Sequence, residues 1–113
     1  MTAQKPALIV VEFRPLPNML LQMVRAAAMD SANVKFSEHS LDRMDERSIT
    51  TLMTLRVLRE GTIKGPIEPG RAKGEWKCKI VKTMKGVREV GVITVVMSAG
   101  RLFVKTVEWE NLL

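Results

Sequence analysis

The chain contains no tyrosine, one cysteine, one histidine and few aromatic residues of any kind, 4% of its 113 residues. Each scarcity excludes something. A lone cysteine, Cys78, cannot form an internal disulfide, which agrees with a reducing compartment. One histidine and one cysteine are too few for the common zinc sites, so no metal is expected. No apolar run approaches the length of a membrane span. Ala7 to Val11 is too short for a secretory signal, and Glu12 and Arg14 close it quickly, so the expected location is cytoplasmic. Neither a phosphate-binding glycine loop nor a nucleophile elbow is present, and no cofactor is expected.

What remains is an ordinary globular composition, with 46% hydrophobic and 27% charged residues, in a length that suits one domain, 1–113. The net charge is +6, and it is uneven. Residues 1–60 contribute +1 and residues 61–113 contribute +5. From Lys64 to Arg88 eight basic residues face two acidic ones. A basic half of this kind suits a polyanion such as RNA, although a solubilising surface has the same composition. No basic amphipathic helix with an aromatic face argues for a membrane surface.

Hydrophobic periodicity predicts the elements. Ala7 to Phe13 reads as a strand closed by Pro15 and Pro17. Asn18 to Asp30 reads as a helix, with Met19, Leu20, Met23, Val24 and Ala27 at helical spacing and Pro17 or Asn18 at its start. Ser37 can cap a second helix to about Glu46, and Thr50 a third from Thr51 to Glu60, ended by Gly61. Leu52, Leu55, Val57 and Leu58 would be the buried side of that third helix. Leu41, Met44 and the methionines in general read as core. Gly61 to Gly74 reads as a mobile loop. Beyond it the period becomes two: Trp76, Cys78 and Ile80 alternate inward, and Lys77 and Lys79 outward. A turn at Met84–Gly86, a strand from Val87 to Met97, a hairpin turn at Ser98–Gly100 and a strand from Arg101 to Trp109 complete the chain. The expected class is α+β, with two or three helices on one face of a three- to four-stranded antiparallel sheet.

The most informative segment runs from Ser37 to Ile49. His39, Arg43 and Arg47 stand four residues apart, and that spacing stacks them on one helical stripe. An imidazole moves a proton near neutral pH, and guanidiniums grip phosphate oxygens with a planar fork. The signature His-x3-Arg-Met-x2-Arg-x-Ile, here His39, Arg43, Met44, Arg47 and Ile49, resembles a family of small bacterial domains of unknown function. Its members open with Ser-x-His-Ala-x-x-Arg-Met-x-x-Arg-Gly-Ile and finish in antiparallel strands. The family looks like part of the broader group of RelE-like and BrnT-like toxins, which cut RNA without metal. The resemblance covers residues 36–109, a toxin-type core, and leaves residues 1–35 as a strand–helix extension. Ser48 stands where the family has glycine, and Ser40 where it has alanine. Many RelE-like toxins also use a late tyrosine, which this chain lacks.

The resemblance implies a RelE-like fold and a metal-independent endoribonuclease acting through 2′-hydroxyl attack. His39 would be the base or acid, with Glu108 or Glu38 as its titratable partner. Arg43 and Arg47 would clamp phosphate, and Lys77, Lys79, Lys82 and Arg88 would hold the RNA. The implied partners are RNA, including ribosome-bound messenger RNA, and an antitoxin protein. Against this stand plainer readings of the same residues. His39 can cap or pack, and the arginines can pair with Asp42, Asp45 and Glu46 on the surface. Trp76, Trp109 and Cys78 read as buried. Two other functions fit as well: a non-catalytic nucleic-acid- or protein-binding module of the same fold, encoded by a phage or mobile element, or a homodimer joined through the edge Ala7–Phe13.

Overall fold

The computed structural model describes residues 14–110 apart from Lys85 and Val87. The strand expected at Ala7–Phe13 lies outside the described residues. Three helices and six strands follow in the order α1 (Pro17–Ala28), β1 (Val34–Phe36), α2 (Glu38–Arg47), α3 (Thr51–Glu60), β2 (Thr62–Ile63), β3 (Glu68–Pro69), β4 (Trp76–Thr83), β5 (Glu89–Met97) and β6 (Arg101–Trp109). The fold is α+β.

The helices form where the sequence supplies their ends. Pro17 occupies the first turn of α1, where its missing N–H costs nothing. Ser37 Oγ accepts the Ser40 N–H at 3.0 Å to start α2, and Thr50 Oγ1 accepts the Met53 N–H at 3.0 Å to start α3. At the far end of α2, Ser48 takes a left-handed conformation with φ 55°, and the Ile49 N–H reaches Met44 O at 2.9 Å. Glycine takes this turn most easily. Serine adopts the same turn at a cost of about 1 kcal/mol.

The sheet has the order β1-β6-β5-β4-β2, with β3 also paired to β4. It therefore has six strands rather than three or four, and it is not wholly antiparallel, because β1 runs parallel to β6 with Val34 beside Leu102. β2 and β3 are two residues each and lie inside the segment expected to be a loop. Elements this short carry no periodicity of their own; pairing with β4 supplies their conformation. The β4–β5–β6 meander is the part the alternation predicts.

One face of the sheet carries the core. Trp76, Cys78 and Ile80 of β4, Val90, Val92 and Val96 of β5, and Leu102, Val104, Val107 and Trp109 of β6 are buried against the three helices, with α2 lying over β6. Each fully buried valine or leucine contributes about 1.5–3 kcal/mol. The inward parity of β6 changes midway, from 102 and 104 to 107 and 109. The cause is a bulge: Thr94 pairs with Val104 and Ile93 with Thr106, so Lys105 has no partner across the ladder. Leu20, Val24, Ala27 and Ala28 make α1 part of this same core.

Some apolar residues expected inside are outside. Leu52 of α3 is 66% exposed and Leu41 of α2 is 47% exposed, and Met19, Met23 and Met29 are exposed as well. Periodicity marks a stripe, and these residues flank it. Thr54 and Ser40 occupy the buried stripe instead, and each hydroxyl bonds its own helix, Thr54 to Thr50 O and Ser40 to Ser37 O.

Two arginines bind the helical layer. Arg25 of α1 donates to Gly61 O at 2.7 Å, and Arg59 of α3 donates through Nε to Ala28 O at 2.7 Å. Each guanidinium satisfies carbonyls left over at the other helix's C-terminus, where cations are favoured. Gly61 is also a close-packing point, since a Cβ there would lie 2.5 Å from Val81 O and 2.6 Å from Val57 O. Gly61→Ala is expected to cost about 1–3 kcal/mol through overpacking, read as a lower midpoint in urea unfolding. An unchanged midpoint would show that α3 and β4 can separate freely.

Candidate functional site

Helix α2 lies along β6 where that strand outruns β1. β1 covers β6 only from Leu102 to Val104. Beyond it, Ser37 continues the ladder, its N–H donating to Val104 O at 3.1 Å, and its hydroxyl donates to Lys105 O at 3.1 Å. Arg47, at the other end of α2, donates through Nη1 to Val107 O at 2.7 Å. Trp109 returns the contact, its indole N–H reaching Arg47 O at 2.9 Å. Both ends of α2 are thus fastened to the open edge of one strand.

This arrangement divides the predicted stripe. His39, Arg43 and Arg47 do share one face of α2 by spacing. Arg47 is committed to β6 and orients the helix. Arg43 forms a partly exposed ion pair with Glu46, of the kind that contributes little and exchanges readily. His39 is exposed, and it makes no hydrogen bond or ion pair among the described residues.

The predicted RNA-binding residues do not gather around His39. Lys77 and Lys79 point outward from β4, which is two strand spacings, roughly 10 Å, from β6. Lys77 pairs with Glu68 at 3.4 Å. Lys79 lies 2.8 Å from Glu110 and 3.5 Å from Glu108. Lys82 alternates to the helical side and meets Glu60 at 3.4 Å. Arg88 stacks on Trp109, 4.0 Å from the ring centre. Glu108 contacts Lys79 rather than His39, and Glu38 sits in the first turn of α2.

A cluster absent from the sequence reading surrounds Glu110. Its side chain is 5% exposed and holds Lys79 and, at 3.2 Å, Lys64. Gly91 makes the room, because a Cβ there would collide with the Glu110 carboxylate. Burial opposes the charge on Glu110, but hydrogen bonds with Lys79, Glu108 and Lys64 outweigh it and hold its carboxyl below the usual value. The Glu110 hydrogen bond, working against burial, likewise raises Lys79. The only hint in the sequence is Glu108 and Glu110 recurring at strand spacing opposite a glycine. Cys78 is buried, and burial pushes its thiol up to about 12, so it is inert near neutral pH.

No group of three or more His, Cys, Asp or Glu among the described residues is arranged to hold a metal ion. None of the described helices is long and apolar enough to cross a membrane. Compared with known protein families, curated proteins and solved structures, the chain gives no match.

Two outcomes test these assignments. Arg47→Met keeps the stem but removes the bond to Val107 O, and should cost about 1–2 kcal/mol in denaturant unfolding; a residue that only clamps substrate would leave stability unchanged. The lowered Glu110 carboxyl stabilises fully above the ordinary carboxylate value and loses that contribution as pH falls through the lowered one. The stability gap between wild type and Glu110→Gln should therefore shrink from neutral pH into the acid range, as followed by thermal unfolding. A gap independent of pH would rule out the ion-pair account.

Proposed function

We propose that the protein is a RelE-like, metal-independent endoribonuclease of the toxin–antitoxin type, working on RNA in the cytoplasm. The observation that carries this reading is the position of His39. It is exposed and unengaged among the described residues, one helical turn from Arg43, and two residues from the Ser37 hydroxyl that joins α2 to the Lys105 bulge of β6.

The chemistry follows from those groups. His39 takes the proton of a ribose 2′-hydroxyl. The resulting oxygen attacks the adjacent phosphorus, the bond to the 5′-oxygen breaks, and a proton returns to that oxygen. The products are a 2′,3′-cyclic phosphate and a 5′-hydroxyl. Arg43, exchanging Glu46 for phosphate, neutralises charge that grows on the phosphoryl oxygens. Arg47 keeps α2 at the correct height on β6 and acts as a positioning residue. Ribosome-bound messenger RNA is a natural target, and a small antitoxin protein the natural partner.

A second reading is a non-catalytic nucleic-acid- or protein-binding module of the same fold. It is favoured by one specific observation: no second titratable side chain is bonded to His39 among the described residues, and the internal bond of Arg47 and the ion pair of Arg43 serve the fold equally well.

The discriminating assay is cleavage of RNA, with and without translating ribosomes, in the presence of chelator. Wild type should cut, and His39→Ala should lose about a hundredfold or more of that activity with its thermal unfolding unchanged. Equal cleavage by the folded variant would overturn the role of His39. A wild type that cuts nothing and leaves host growth unaffected would establish the second reading.

A further inference from the structure

The described cations separate into those held by a partner and those that are not. Lys64, Lys77, Lys79 and Lys82 pair with glutamates, and Arg25, Arg47 and Arg59 bond backbone carbonyls. Lys35, Arg71, Lys73, Arg88, Arg101 and Lys105 have no ion pair or hydrogen bond among the described residues, and Arg88 is taken up by the Trp109 ring. Four of them, Lys35, Arg71, Arg101 and Lys105, collect at one end of the sheet face that the helices leave uncovered.

The register places them. Lys35 of β1 is beside Phe103 of β6, and Phe103 is beside Val95 of β5. Arg101 pairs with Met97 on the same outward side. Arg71 and Lys105, with Glu75, Val95, Met97 and Phe103, line a shallow groove of about 240 Å³. Four cations therefore surround one half-buried aromatic ring and two aliphatic side chains, against a single glutamate. Lys105 Nζ rests 5.6 Å from the Phe103 ring centre, a loose contact that a nucleobase can replace.

From this placement we infer that the outward face around Phe103 is a stacking platform for single-stranded nucleic acid. A base lies on Phe103 against Val95 and Met97, and Lys35, Arg71, Arg101 and Lys105 take the phosphates on either side. Single strands are bound in this way, by aromatic stacking inside a basic groove. A duplex hides its base faces and cannot use the ring. The inference deepens the RNA reading above by naming where the strand lies. It does not require cleavage, because the platform shares no residue with the α2 stripe.

The test is fluorescence anisotropy with labelled dodecamers of uridylate and deoxythymidylate and a duplex of equal length. The binding species is the His39→Ala chain, so that RNA stays intact and a failure of cleavage is separate from a failure of binding. Both single strands should bind more tightly than the duplex, and the difference between the RNA and DNA arms reports contacts to the 2′-hydroxyl. Phe103→Leu should weaken single-strand binding about tenfold, with unchanged thermal unfolding. Lys35→Gln/Arg101→Gln should make the logarithmic salt dependence shallower by about 1.4. The proposal is overturned if the duplex binds as well as the single strands, if Phe103→Leu binds like its parent, or if polyglutamate binds as tightly as the oligonucleotides.

Discussion

An open strand edge organises this protein. β6 is nine residues long, and its outer neighbour β1 covers only three of them. The remaining carbonyls need donors, since unpaired backbone groups at a half-buried edge are costly and invite pairing with another chain. The donors come from α2: a serine at one end and an arginine at the other. That requirement sets the height and direction of α2, and with it the location of His39. Arg47 is in this sense part of the sheet's hydrogen bonding as much as of the helix.

The helical layer follows a related logic. The C-terminal ends of α1 and α3 come close together, where two helix dipoles would repel. Arg25 and Arg59 each cross to the opposite helix and meet its leftover carbonyls. A large share of the positive charge is consumed in this way, and a count of lysines and arginines overstates what a polyanion can reach. The basic excess between Lys64 and Arg88 is the clearest case, because its lysines are mostly held by glutamates brought from β3, α3 and the end of β6.

Several elements are legible in the sequence. Ser37 and Thr50 announce the starts of α2 and α3 because a side-chain oxygen two or three residues before an apolar stripe has one obvious use. The alternation of Trp76, Cys78 and Ile80 announces a strand with one buried face. β1, β2 and β3 were not legible, since two or three residues cannot display a period and their partners lie far away in sequence. The exposure of Leu41 and Leu52 was hidden for a different reason: spacing identifies a stripe but not where its margins meet solvent. The candidate site was legible as a stripe on one helix. Whether its last arginine grips a ligand or a carbonyl depended on Val107, 60 residues away.

The bulge at Lys105 has a consequence for how this sequence tolerates change. In a strand, facing direction is a matter of odd and even, and the bulge is the point where β6 switches from one to the other. Upstream of it the even positions face the helices; downstream the odd ones do. Removing Lys105 would close the bulge and leave a regular strand, with Val104 in, Thr106 out and Val107 in, so Val107 and Trp109 would keep facing the helices and Glu108 would keep facing away. The strand can therefore lose one residue at this point with every cross-strand pair kept, whereas a second loss would invert the pattern beyond it.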